Sequence, residues 1–147
     1  MPKPIYIING PNLNLLGQRE PDIYGYQTLA DIEALCTKQA QAHGYQIVFS
    51  QSNIEGELVN QIQAANKLGS AVVINPAAYT HTSVALYDCI KACELPVIEV
   101  HLSQPHARED FRHVSYVSQA AKATISGMGA QSYILGLDAA LHLLTLN

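Results

Sequence analysis

Three short apolar runs, Ile5-Tyr6-Ile7-Ile8, Ala71-Val72-Val73-Ile74 and Val97-Ile98-Glu99-Val100, set the strongest limit on what this chain can fold into. Runs of about four to eight residues with apolar side chains on successive positions suit strands covered on both faces, the situation a parallel sheet creates. The segments between them repeat with helical spacing. Leu29, Ile32, Cys36 and Ala40 form one stripe, opened by Thr28 with Asp31 as a capping box and ended by Gly44. Leu58, Ile62 and Ala65 form a second, with Asn53 as the expected cap and Gly69 as the stop. A third helix is capped by Thr82 or Ser83 and runs through Cys93, and Tyr133, Leu137, Leu141 and Leu144 mark the last. Gln46 to Phe49 and Thr124 to Ser126 complete the strands, with a short helix expected near Glu109.

Strands alternating with helices at this interval are βαβ units. The expectation is an α/β, flavodoxin-like three-layer fold with a five-stranded parallel sheet of order 2-1-3-4-5, as a single domain over residues 1–147. In that order the chain reverses direction between strands one and three, and ligands bind beyond the carboxyl ends of strands at such a reversal. The segments after strands one, three and four, Asn9–Gly25, Asn75–His81 and His101–Arg112, should therefore converge.

Composition narrows the function. A net charge of −4 and a pI near 5.8 argue against a nucleic-acid partner. No apolar run reaches the roughly 20 residues of a membrane span and no leader pattern is evident, so a cytoplasmic protein with no membrane partner is expected. The three cysteines, Cys36, Cys89 and Cys93, lie in expected helices without zinc-ligand spacing, which predicts reduced thiols used for packing and no metal site. All three arginines, Arg19, Arg108 and Arg112, fall in irregular segments after strands. Guanidinium groups make fixed, directional contacts with oxyanions and hydroxyls, so an anionic or polyhydroxylated small molecule fits.

Asn9-Gly-Pro-Asn-Leu-Asn-Leu-Leu-Gly-Gln-Arg-Glu-Pro-Asp-Ile-Tyr-Gly25 can continue neither the strand before it nor the helix after it. Loops beyond about 12–15 residues in a compact domain are often lids, and residues around 17–25 are the expected lid. Within it, Arg19 precedes Tyr24 by five residues. An unperturbed phenol has a pKa of about 10, and a nearby guanidinium stabilises the phenolate and makes it usable as a base at neutral pH. Tyr79, in the second converging segment, is the alternative base; Tyr24 is preferred because only it has an arginine close in sequence. On strand four, Glu99 and His101 are two apart and so share a face. A carboxylate there fixes the imidazole tautomer and favours its protonated form, as a general acid requires.

NGPNLNLLGQREPDIYG, NPAAYTHTS, EVHLS and REDFRHVSY, in this order and at these separations, resemble type II 3-dehydroquinate dehydratase over nearly the whole chain. The resemblance implies dehydration of 3-dehydroquinate to 3-dehydroshikimate through an enolate, in the shikimate route to aromatic compounds, with no metal or organic cofactor. It implies Tyr24 as base, Arg19 lowering its pKa, Asn12 holding a water against the enolate, and His101, partnered by Glu99, as acid. It further implies that Asn75, His81 and Arg112 hold substrate hydroxyls and that the amides of Leu102 and Ser103 grip the carboxylate. Asp88 would reach into a neighbouring subunit's site in a trimer, with trimers gathered into a dodecamer.

The chemistry of a cyclic β-hydroxy ketone agrees, since it needs a base, an oxyanion site and an acid. The Schiff-base route needs a lysine, and none of the five lysines falls in the converging segments. The chain departs from the family pattern at Ala77, commonly glycine, at Gln104, commonly asparagine, and at Ser132 and Gly136 in the last helix. If the backbone at 77 has positive φ, alanine strains it. A flavin or phosphate binder would need a Ser/Thr/Gly-rich cradle where Pro11–Leu15 stands, and a receiver domain would need acidic residues where Asn9 and Asn75 stand. A ligand-sensing or self-assembling protein without turnover would not need the full set of polar groups.

Overall fold

The computed structural model describes residues 2–18, 20–24 and 26–146, and for Tyr24 the backbone alone. Five parallel strands, β1 (Ile5–Asn9), β2 (Ile47–Gln51), β3 (Ala71–Asn75), β4 (Val97–His101) and β5 (Ala123–Ser126), form one sheet of order β2-β1-β3-β4-β5. Every residue of β1, β3 and β4 is buried, whereas β2 and β5 are the partly exposed edges. The expected order and the two-sided character of the three apolar runs are both present.

Side chains alternate between two cores, as the pleat requires. Ile5, Ile7, Val73, Ile98 and Val100 face α2 (Leu29–Gln41) and α5 (Gln131–Leu144), packing on Ile32, Cys36, Tyr133 and Leu137. Tyr6, Ile8, Val72, Ile74 and Val97 face α3 (Glu55–Leu68) and α4 (Val84–Lys91), packing on Leu58, Ile62, Leu86 and Ile90. Each fully buried Ile or Leu contributes about 1.5–3 kcal/mol relative to exposure, so the sheet is held from both sides at similar strength. At Gly136 an added Cβ would lie 2.4 Å from Val100 Cγ1. The last helix thus sits closer to β4 than any other residue would permit.

The capping box at Thr28 and Asp31 is formed. Asn53 is not the cap of α3: that position is Ile54, with no side-chain bond. The Asn53 carboxamide oxygen instead accepts from the Asn12 backbone N–H at 3.0 Å and from Gln51 Nε2 at 3.2 Å. Ser52 accepts from the Ile54 N–H in its place. Ser83, rather than Thr82, caps α4 by accepting from the Leu86 N–H, and α4 ends at Lys91, before Cys93. The segment after β4 carries three 3-10 turns, Pro105–Ala107, Asp110–Arg112 and Val117–Gln119, where one short helix was expected. The segment after β1 contains a 3-10 turn, Leu13–Leu15, and one turn of helix, α1 (Pro21–Tyr24). Cys36 is buried and unpaired with another thiol, and burial pushes it up to about 12. Burial, with Cys89 beside it, pushes Cys93 up to about 11, so both thiols stay protonated and unreactive at neutral pH.

Candidate active site

Because β1 and β3 are in register from Ile5↔Ala71 to Asn9↔Asn75, their last residues lie side by side. The two asparagines there are nearly or wholly inaccessible and are tied by the fully buried Tyr133 of α5. Its hydroxyl donates to Asn9 Oδ1 at 2.6 Å and accepts from Asn75 Nδ2 at 2.9 Å. Asn9 Nδ2 also donates to the Ser50 carbonyl, and Asn75 Oδ1 accepts from the Ala77 N–H, so each amide is aimed by both of its ends. One N–H of Asn75 remains for a ligand. Ala77 has φ +52°, the left-handed region in which a Cβ costs roughly 1–2 kcal/mol. Asn12 has φ +68° and opens the 3-10 turn after β1.

On β4, Glu99 shares a face with Val97 and His101 and has no exposed surface. His101 Nε2 donates to its Oε2. Thr80 Oγ1 at 2.8 Å and Ser115 Oγ at 3.0 Å donate to that same oxygen, while Ser118 Oγ at 2.5 Å and Thr124 Oγ1 at 3.2 Å serve Oε1. Burial alone would raise the Glu99 pKa. The hydrogen bond and charge of His101, with the hydroxyls of Ser118 and Thr80, outweigh it and hold the carboxyl down at about 2. An ionised carboxylate only accepts, so the Nε2 of His101 carries a proton and its other nitrogen is left for the pocket.

The three segments line one pocket, open to solvent at its mouth. Asn12, Asn75, His81, His101, Leu102, Ser103 and Arg112 all line it. His81 Nδ1 donates to the Val114 carbonyl at 2.7 Å. Burial and the neighbouring charges of His101 and Arg112 hold its pKa below the ordinary imidazole value, against the pull of that carbonyl. A neutral His81 then presents Nε2 as an acceptor. Arg112 is braced by Glu109 at 2.9 Å and lies over the Phe111 ring, 5.0 Å from its centroid.

One expected site residue stands elsewhere. Asp88 is exposed on α4 and does not line the pocket of its own chain. Arg19 and Gly25 lie outside the described residues, as does the Tyr24 side chain. The backbone of α1 nevertheless lies beside the site, since Ile23 and Gln27 share an adjoining depression with Leu102, Ser103 and Arg108. Tyr79, the alternative base, is turned away: its hydroxyl donates to the Asn53 carbonyl at 2.7 Å, its ring packs on the α3/α4 core, and it does not line the pocket. Among the described residues, no group of three or more His, Cys, Asp or Glu could hold a metal ion.

Sequence reasoning passed over Arg108, which lines the pocket and donates to Ser103 Oγ at 3.2 Å. The confinement of arginines to the converging segments was the available signal for it. It also passed over the Tyr133 hydroxyl, read only as part of a helix stripe, and the four hydroxyls on Glu99, which come from three separated stretches of chain.

Residues 3–141 match the family model described as Dehydroquinase class II. A protein of Maricaulis maris named 3-dehydroquinate dehydratase is 59% identical over 96% of this chain and 97% of its own length. Among solved structures, the type II dehydroquinase of Butyrivibrio crossotus superposes with a TM-score of 0.93 at 36% identity, covering 95% of this chain and 98% of that one. The type II dehydroquinase of Propionibacterium acnes gives a TM-score of 0.90 at 40% identity, covering 99% and 98%. With the sheet order, the converging strand ends and a match over nearly its full length, the chain belongs to the class II dehydroquinase family.

Proposed function

We propose that this pocket is where the chain, a hydro-lyase, dehydrates 3-dehydroquinate to 3-dehydroshikimate, a step of the shikimate pathway. The observation that carries the reading is the Glu99–His101 pair, which sets His101 in a pocket wall beside the amides of Asn12 and Asn75, the Ser103 hydroxyl, His81 and two guanidinium groups, among leucine, alanine and proline side chains. Such a lining suits a polyhydroxylated carboxylate. The backbone amides of Leu102 and Ser103, with the nearby guanidinium groups, receive the carboxylate, and Asn75, His81 and Arg112 hold hydroxyls.

Tyr24, kept ionised by Arg19, removes the proton from the carbon beside the ketone, and the electron pair moves onto oxygen to form the enolate. Asn12 holds a water against that oxygen. The enolate then expels the β-hydroxyl, which takes a proton from His101 and leaves as water, giving the conjugated enone. The base ends protonated and the acid neutral, so one proton returns from one to the other before the next turnover. Neither a metal nor an organic cofactor has a role in these steps.

Residues around 17–25 close over bound substrate as a lid. The exposed position of Asp88 on α4 suits a contact with a second subunit, and we assign the working form to trimers gathered into a dodecamer in the cytoplasm. No helix among the described residues is long and apolar enough to cross a membrane.

Purified protein given 3-dehydroquinate should develop the ultraviolet absorbance of a conjugated enone. Saturable binding with no rise in absorbance would leave a ligand-binding protein and end the catalytic reading. Sedimentation of active protein as a monomer would remove the role assigned to Asp88.

A further inference from the structure

Glu99 is unusual less for its histidine than for the rest of its surroundings. A carboxylate has about four lone-pair sites, and here five donors compete for them. Thr80 Oγ1 and Ser115 Oγ lie 2.7 Å apart, and both reach Oε2. Ser118 Oγ and Thr124 Oγ1 lie 3.1 Å apart, and both reach Oε1. Each hydroxyl has one proton, which it gives either to the carboxylate or to its neighbouring hydroxyl, so each oxygen of the carboxylate is served by a pair of hydroxyls in addition to what His101 gives Oε2. The Ser118 N–H donates to Ser115 Oγ at 3.0 Å and links the two chains. Thr80 is fully buried, so water cannot take its place. It does not line the pocket proposed for substrate, but stands behind His101 in an adjoining one.

We propose that Thr80, backed by Ser115, Ser118 and Thr124, is a positioning residue that sets how readily His101 releases its proton, by sharing the negative charge of Glu99. This rests on His101 being the acid of the proposed reaction. A carboxylate with neutral donors on both oxygens stays ionised without depending on a charged imidazole alone. His101 is therefore held at Nε2 and oriented by a carboxylate whose charge the hydroxyls share. Without the hydroxyls, only the imidazolium balances the buried charge. The charged form is then favoured, and His101 turns into a weaker acid.

The other charged or titratable groups facing the pair are His81 after β3, Arg108 and Arg112 after β4, and His106 and His113, whose rings stack with centroids 5.6 Å apart. Glu109 and Asp110 lie beyond them, against Arg112 and His113. Substitution of a hydroxyl leaves all of these in place.

The test is the pH profile of kcat for Thr80→Val, which keeps the shape and removes the donor, beside Thr80→Ser, which restores it. Part of the loss of a hydrogen bond to the carboxylate is felt at the adjoining imidazole. The alkaline limb of Thr80→Val should therefore move up by about half to one pH unit, with kcat down about threefold to tenfold, KM little changed, and Thr80→Ser close to the parent. Ser118→Ala combined with Thr124→Val, both at exposed positions that tolerate change, should move the limb the same way and decides the matter if Thr80→Val does not fold. A limb that stays in place in folded variants overturns the proposal, whatever happens to kcat. His101→Asn separates this from failure of the underlying reading: an alkaline limb that survives in that variant shows that His101 is not the acid.

Discussion

The two sides of the pocket are built in opposite ways. The acid side stands on β4, where Glu99 and His101 are buried and the carboxylate is gripped from four further positions. The proposed base side stands on the segment after β1. There Leu13 and Leu16 pack into the core, the turns include local bonds from Leu15 N–H to the Asn12 carbonyl, Gln18 N–H to Leu15 and Ile23 N–H to Glu20, and among the described residues Asn12, Gly17 and Glu20 have positive φ. A proton donor needs a fixed tautomer and orientation, which a strand end in a packed core supplies. A base on a lid has to make way for substrate, and a segment of tight turns outside the sheet can do so at lower cost than a strand end. Preorganisation is thus concentrated on one side and access on the other.

The largest effect that would test this division is at Tyr24. Tyr24→Phe should reduce kcat by about 10²–10⁴-fold, the usual range for a lost general base, with substrate binding largely kept. Ordinary turnover in that variant would remove the base side from the scheme. Arg19→Ala should lower the rate as well and shift to higher pH the limb on which activity rises, because the phenolate loses its cation.

On the acid side, Glu99→Gln should lower kcat about 10–100-fold and weaken hydroxyl departure more than proton abstraction. A primary isotope effect from deuterium at the abstracted position should shrink in this variant, and an enlarged one would place Glu99 on the base side instead. The same residue has a signature in stability. Its folded pKa, about 2, lies below its ordinary value, so the stabilisation is complete above about 4.5 and is lost as pH falls through about 2. Urea melts from pH 5 to pH 2 should show less acid destabilisation in Glu99→Gln than in the parent.

The smallest effect concerns the joint between the sides. Ala77→Gly relieves the left-handed backbone at φ +52° but adds entropy to the unfolded chain, for a net gain of up to about 1 kcal/mol. A loss of stability in thermal melts would show that the alanine methyl packs favourably enough to outweigh the strain.

What could be read from the sequence follows from the range of the interactions involved. Ile5–Ile8 and Ala71–Ile74 declare a buried parallel sheet because burial on both faces leaves its mark on consecutive residues. Glu99 and His101 could be paired because strand geometry alone puts i and i+2 on one face. Asn53 misled because its side chain is drawn to Asn12, 41 residues away, rather than to the helix it precedes. Thr80, Ser115, Ser118 and Thr124 carry no local pattern; only the fold brings them to one carboxylate. The Tyr133 hydroxyl was hidden by its ring, which satisfies a helix stripe and gives no hint of its bonds to Asn9 and Asn75, 124 and 58 residues away.

Tyr133 also sets an order of events. The tips of β1 and β3 are held together by a phenol supplied by the last helix described, so a nascent chain that has already folded its first three strands still lacks the bolt between them. Until that helix leaves the ribosome and docks against β4, only the Ala77 N–H aims Asn75, and the chain has a sheet before it has a working site.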